Sequence, residues 1–380
     1  MKMGSKSARI FIVLTVLITV SLVLPQGFSA NYSVAYQLLN HLGESTYYRL
    51  NVAVSESLHQ YYVEKSHRLI LNNDFAKFVT PYALKPLADS LWEIYVDDED
   101  FANGVLMIVH QIPYEESKPP EYPVETIVGN KGDCDLFSYV AASIMKAGGL
   151  DVVLLYYESE AHMNIGVSLS HAPHDINKQV DYVLHSGVKF YVAECTGENW
   201  QNGWRVGECP ESLRNASVQV VTLENCEQIA PGQVSASYKA LRASTISLSL
   251  SAGYIIQGGS IILSGEISPS LENETVTIYM KVNNLPWTAL GLATTDSLGR
   301  FIYLWNVQAS GISYVRASWS GDDDYAAADS STRTLMAFPV FFILLVVITV
   351  ILAGVGTVVF FTSRHSRKEI REPQPPEIPS

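Results

Sequence analysis

The chain has 380 residues, room for two or three domains. At 48% hydrophobic residues it is too apolar for a largely disordered chain, and 24 glycines and 17 prolines exclude collagen-like and low-complexity classes. The net charge of −13 leaves no basic footprint for nucleic acid.

In chain order the first feature is an apolar run at 10–24. Lys2, Lys6 and Arg9 precede it, and the small residues 27–30 follow. A basic start, a short apolar stretch and small residues before a cut predict a signal peptide over 1–30, cleaved near Ala30, with an uncleaved anchor as the alternative.

Residues 31–112 read mainly as helix. Leu91, Ile94 and Tyr95 have i, i+3, i+4 spacing, and Val105, Ile108 and Val109 repeat it. Pro113, Pro119, Pro120 and Pro123 break the pattern, which predicts a loop to about Lys131. A further helix begins at Asp133 or Cys134 and stops at Gly148-Gly149, with Cys134, Phe137, Ala141 and Ile144 on one stripe. The β-rich apolar runs 152–157, 163–169 and 188–193 read as strands. Helices followed by a strand cluster predict an α+β domain over 31–240.

From Thr245 the texture changes. Short alternating runs at 246–250, 260–265, 276–281, 301–305 and 314–319 are separated by turn signals at Gly258-Gly259, 297–299 and 321–324. They predict a β-sandwich over 243–334. Gly258-Gly259, Ser264-Gly265 and the stretches 299–305 and 319–325 resemble the immunoglobulin-like domains of prokaryotic surface proteins, a resemblance that implies fold only.

Residues 335–361 carry no charge over 27 positions, and Arg364, Arg367, Lys368 and Arg371 follow at once. This predicts a transmembrane helix with a cytoplasmic, Pro-rich tail over 362–380. The chain would then be a single-pass cell-membrane protein with 31–334 outside. That outer part has 18 basic and 35 acidic residues, a balance of −17 that suits an exported protein. The sequons at Asn31, Asn215 and Asn273 all fall within it.

Three stretches carry chemistry: Gly132-Asp133-Cys134-Asp135, His162-Met163-Asn164, and 190–196 with Glu194. Cys134 opens a helix, where free N–H groups and the dipole favour thiolate, although the flanking aspartates oppose it. His162 starts a strand and Glu194 ends the next. A thiol, an imidazole and a carboxylate in series form a nucleophile, its base and the base's orienter. The backbone N–H of Cys134 is placed to help hold an oxyanion.

That order resembles the transglutaminase-like superfamily, in the papain-like fold. There a Gly-x-Cys motif at a helix start precedes a His on one strand and an Asp on the next; Glu194 stands where the family usually has Asp. Residues 122–126 together with 132–135 resemble the branch found in bacteria and archaea. The resemblance spans about 101–208, the expected catalytic core, behind a helical front part at 31–112. It implies a fold class of an α+β papain-like/transglutaminase-like domain, followed by the immunoglobulin-like sandwich and the transmembrane helix. It also implies a membrane-anchored, outward-facing cysteine enzyme acting on peptide or amide bonds of a cell-surface peptide or protein, through a thioester on Cys134. Hydrolysis is favoured over cross-linking, and no cofactor or metal is implied. The rival reading is a non-catalytic cell-surface binding or spacer protein. Should Glu194 not orient His162, Asn164 and Glu198 are the next candidates.

His171, His174 and Asp175 have the spacing of metal ligands but sit in a polar insert at 170–187, and they read as a solvated loop. Asp322–Asp324 reads as a turn before a calcium site. With Cys134 free, an odd set of Cys195, Cys209 and Cys226 remains. Outside the cell a disulfide is expected, Cys209–Cys226 being favoured and Cys195–Cys209 left open.

Overall fold

The computed structural model describes residues 31–40, 47–197, 199–239 and 242–341, with 348, 351–352, 354–355 and 357–358. The expected signal peptide (1–30) and cytoplasmic tail (362–380) lie outside these residues.

Two long antiparallel strands come first, β1 (Asn31–Leu39) and β2 (Tyr47–Ser55). Their burial follows the two-residue period of a pleated strand: Tyr36 and Leu38 point inward from β1, and Leu50, Val52 and Val54 from β2. Ser55 then caps α1 (Glu56–Val63), its Oγ accepting the Leu58 N–H. Helix α2 (Lys85–Ile94) leads to α3 (Asp98–Val109), where Asp97 accepts the N–H groups of Glu99 and Asp100. Acidic Asp98, Glu99 and Asp100 fill the first turn of α3, complementing the helix dipole. A short helix α4 (Pro123–Gly129) starts on proline and ends at Asn130 with φ 48°.

Helix α5 (Cys134–Ala147) is capped by Asp133, which accepts the Leu136 N–H at 3.4 Å. Strands β3 (Asp151–Tyr157), β4 (His162–Ser168), β5 (Tyr182–His185), β6 (Val188–Ala193) and β7 (Gln219–Thr222) form one antiparallel sheet in the order β5-β6-β4-β3-β7. Phe137, Val140 and Ile144 of α5 share a core with Leu154, Met163, Ile165 and Val167 on one face of this sheet. Val153, Leu155, Tyr157, Phe190 and Val192 pack on the other face with Cys209 and Leu213. Each such burial stabilises by about 1.5–3 kcal/mol before chain entropy is counted. Strand β8 (Ser235–Ser237) returns to pair with β2.

One node locks the helices that present Cys134. Trp92 of α2 stacks on Phe101 of α3, with centroids 4.2 Å apart, and its Nε1–H donates to the carbonyl of Gly148 at 3.0 Å. A Cβ at Gly148 would meet the Phe101 ring at 2.3 Å, so the end of α5 approaches as only glycine allows.

The last part of the chain encloses a second core. Strands β9 (Thr245–Ile246), β10 (Ser249–Leu250), β11 (Tyr254–Ile256), β12 (Ser260–Ser268), β13 (Thr275–Val282), β14 (Thr288–Thr294), β15 (Arg300–Asn306), β16 (Gly311–Trp319), β17 (Ala328–Asp329) and β18 (Arg333–Phe338) make two sheets. One runs β10-β12-β15 with β9 beside β12, the other β11-β18-β16-β13-β14 with β17 beside β16. Ile261, Leu263, Phe301 and Trp305 from the first meet Ile278, Val315, Trp319 and Leu335 from the second.

The two cores are joined by polar contacts. Ser57 donates its N–H to Asp329 Oδ2 at 3.1 Å, and its hydroxyl also donates to that carboxylate. Ser318 and Ser55 hydroxyls meet at 3.1 Å, Arg316 reaches Gln60 at 3.1 Å, and Lys281 pairs with Glu64 at 3.0 Å.

These observations correct the expected fold class, an α+β papain-like/transglutaminase-like domain with a sandwich and a transmembrane helix. Among the described residues strand outweighs helix, 35% to 23%. The expected helical front part opens on two nine-residue strands. Among the described residues no helix is long and apolar enough to cross a membrane. The expected span begins instead inside β18, where Leu335 and Ala337 are buried in the second core. An uncharged run was read as lipid-facing, but its first residues serve a sheet interior. The expected disulfide is corrected too, because all four cysteines are free. Cys209 and Cys226 belong to different apolar clusters, Cys209 with Leu155 and Val192, Cys226 with the helices.

Gly148→Ala should lower stability by about 1–3 kcal/mol, the usual cost of overpacking. Urea titration measures it, and an unchanged midpoint would show that the Phe101 ring yields without cost.

Candidate functional site

Strand β4 is central in its sheet, with β6 beside it in the register Ile165↔Ala193, Gly166↔Val192 and Val167↔Tyr191. That register carries Glu194, just past β6, to the level of Asn164. His162 lies one pleat further along on the same strand face. The His162 Nε2 sits 3.0 and 3.2 Å from the two Glu194 carboxylate oxygens. Glu194 is 0% exposed. Its Oε1 accepts the Thr196 N–H at 2.9 Å and the Thr196 hydroxyl at 2.5 Å, and its Oε2 accepts from Asn164 Nδ2 at 3.3 Å. The buried His110 fixes its backbone, Nε2 lying 3.0 Å from the Glu194 carbonyl oxygen.

Charge follows from this packing. Burial works to raise the Glu194 carboxyl, but the His162 hydrogen bond and charge and the Thr196 donors outweigh it, so it lies below the usual carboxylate range. Burial likewise works against a charged His162, yet Glu194, with Asp135 adding its charge, raises it above the ordinary histidine value. Together these make a buried ion pair.

Cys134 is the first residue of α5, whose Ser138, one turn on, donates its hydroxyl to the Met163 carbonyl at 3.1 Å. The helix therefore packs against the start of β4. The Cys134 thiol donates to Asp135 Oδ1 at 3.5 Å. Among the described residues no hydrogen bond joins Cys134 to His162. Burial, then the Asp135 and Asp133 charges, push the thiol up to about 12. The thiolate expected from the helix dipole is thus not the resting form: desolvation and two carboxylates outweigh the dipole.

The structure therefore brings His162 and Glu194 together and sets Cys134 beside their strand, while Asn164 stands on Glu194. Glu198 lies outside the described residues. Asp135, Thr196 and His110 were not singled out for these contacts. Thr196 had a local signal, a hydroxyl two residues after a carboxylate. Asp135 had its adjacency to the thiol. His110, 84 residues from Glu194, had none. A cleft of about 530 Å³ borders the site, lined by His110, Tyr114, Phe137, Thr196 and Gly197 among others.

No family model matches the chain, and neither does any curated protein. Among solved structures it is similar to a chitin-binding domain from Burkholderia pseudomallei, at 14% identity over 22% of this chain with a TM-score of 0.19. The match spans only 56% of that domain. It is also similar to the human F-spondin reeler domain, at 11% identity over 24% of this chain and 89% of that one, with a TM-score of 0.18. The sulfur carrier SoxY from Chlorobium limicola f. thiosulfatophilum matches at 10% identity over 26% of this chain and 86% of its own, with a TM-score of 0.18. Likenesses this partial carry no argument about the site.

The shifts set a pH window. His162 is raised, so its share of the pair is fully present below its ordinary 6.5 and is lost as pH rises through the folded value. Glu194 is lowered, so its share is present above its ordinary 4.5 and is lost as pH falls through the folded value. Glu194→Gln should thus cost most stability between pH 4.5 and 6.5, narrowing on either side in urea titrations. A difference that does not vary with pH would deny the ion pair.

Proposed function

We propose that the chain is a cysteine acyl-transfer enzyme, hydrolysing peptide or amide bonds, as the transglutaminase-like resemblance of its three motifs implies. The supporting observation is the buried Glu194 carboxylate holding His162 by Nε2 beside the helix start that carries Cys134. With Nε2 committed to Glu194, Nδ1 is the ring nitrogen left to exchange a proton with the thiol. The substrate's acyl group lies in the cleft beside Thr196 and Phe137. Sγ gives its proton to a neutral His162 and attacks the carbonyl carbon. The backbone N–H of Cys134, at the start of α5 and with no intrahelical carbonyl to serve, receives the oxyanion, the Leu136 N–H being taken by Asp133. The C–N bond breaks as His162 returns the proton to the leaving amine. Water then adds to the thioester, with His162 again the base, and frees Cys134.

Action outside the cell belongs to the same proposal. It is supported by the signal-like start and by exposed sequons at Asn31, Asn215 and Asn273. One arrangement favours the rival, a cell-surface binding or spacer protein without turnover: the Cys134 thiol is buried and donates to Asp135, and burial and the two flanking aspartates push it up. A thiol-directed amide mimic separates the two. The enzyme's Cys134 reacts faster than free cysteine at neutral pH, and the binding protein's does not.

Cys134→Ala should abolish turnover and His162→Ala should cost nearly as much, because members of such a unit act together. Wild-type rates in both would remove the proposal. The pH profile tests the mechanism further. His162 accepts a proton only when neutral, so kcat/KM climbs as pH rises through its raised value. Glu194→Gln removes the charge that raises it and should move that limb to lower pH. A limb that stays in place would exclude His162 as the titrating base.

A further inference from the structure

A second cluster lies away from Cys134, where the 170–187 insert folds back on the start of α3. The Glu99 carboxylate is 0% exposed. His174 Nδ1 is 2.5 Å and His171 Nδ1 3.8 Å from Glu99 Oε2, and the two imidazole rings are 5.1 Å apart. The far side of the His171 ring is held, its Nε2 lying 2.9 Å from Asp97 Oδ2. A metal-binding histidine commonly donates its other ring N–H to a carboxylate in this way. Glu99 is itself oriented, accepting the His174 N–H at 3.0 and 3.1 Å and the Asp175 N–H at 2.8 Å. A further observation concerns Asp98. Its Oδ1 is shielded from solvent and has no hydrogen-bond partner among the described residues, and it lies 3.5 Å from His171 Nε2. Asp97, Asp98 and Glu99 thus crowd three carboxylates around two imidazoles. Arg205, the nearby cation, is committed to Asp175 at 2.6 Å.

We propose that Glu99, His171 and His174 bind a divalent transition-metal ion of the zinc class. One carboxylate and two imidazoles are a borderline-soft, mixed set that suits zinc and not calcium or magnesium, which take oxygen ligands. Around tetrahedral zinc with bonds of about 2.0–2.1 Å, ligand atoms sit roughly 3.3 Å apart. The observed 2.5 and 3.8 Å bracket that spacing. His174 is largely exposed and its ring is free to turn, whereas His171 Nδ1, 3.0 Å from the Ala172 carbonyl oxygen, would exchange that contact for the ion, leaving a fourth position open to water. Binding displaces any proton on the ligating nitrogens. The ion would fasten the insert, which joins β4 with His162 to β6 leading to Glu194, onto the first turn of α3.

The test uses the full-length protein, freed of metal by a chelator and titrated with zinc against a chromophoric competitor. Wild type should take up one equivalent. His171→Ala/His174→Ala should bind at least about tenfold more weakly, while Cys134→Ala binds as wild type. Zinc should slow protease cleavage within 170–181 in wild type but not in the double variant. His174 is 73% exposed, so its replacement leaves the fold standing, and matched metal-free thermal melts check this. Wild type without bound zinc, a double variant with unchanged affinity, or loss of binding in Cys134→Ala would each overturn the site.

Discussion

A carboxylate sealed from water must find its compensation inside the protein, and Glu194 is such a group. An unpaired buried charge costs several kcal/mol, and removing one partner of a buried pair typically costs about 3–5 kcal/mol. The local architecture meets that demand from four directions. His162 supplies charge, Thr196 two donors, Asn164 a third, and His110 holds the backbone from below. His162 and Asn164 come from β4, Thr196 from just past β6 and His110 from the end of α3, so the β4–β6 register and the approach of α3 must both be right before the carboxylate is satisfied. The same enclosure sets the imidazole's charge, and the desolvation that surrounds the thiol keeps it protonated at rest.

Parts of this arrangement were legible in the residues. Asp133 before Cys134 announces a helix cap, Gly148-Gly149 a stop, and the runs at 152–157 and 163–169 a strand pair. Each is a local signal, read within a few residues. The first strands lie well before the helical spacing at Leu91 and Val105, and Val34, Tyr36 and Leu38 alternate with the period of a strand. The run from Leu335 was misread because composition does not distinguish a sheet interior from lipid. The disulfide failed for a geometric reason, since sequence spacing does not say on which side of a sheet a cysteine lies. Glu99 is not joined to His171 and His174 by any local sequence signal, because 75 residues separate Glu99 from His174.

The joint between the two cores follows the same rule of internal compensation. Asp329 is half-buried, and its desolvation pushes the carboxyl up, while Arg316, Ser57 and Ser318 work against that shift. The Ser57 N–H and hydroxyl that it accepts sit at the start of α1, far away in sequence, so either half alone would present cut polar contacts to solvent. Trp287 adds a shared contact: its N–H donates to Glu64 at 2.6 Å, and its ring lies under Arg316. The halves therefore meet through a matched polar surface.

Strand β18 has a mechanical meaning. It pairs in parallel with β11, Tyr254 opposite Met336 and Ile256 opposite Phe338, and antiparallel with β16 on its other side. Tension drawn through the chain after Phe338 and resisted through the chain before Tyr254 pulls β11 and β18 from opposite ends. The strands must then slide along each other, and the load falls on all their backbone hydrogen bonds together. A hairpin under the same load would open one bond at a time. The sandwich is thus built to hold under a pull along the chain, yielding only when the whole seam gives way at once.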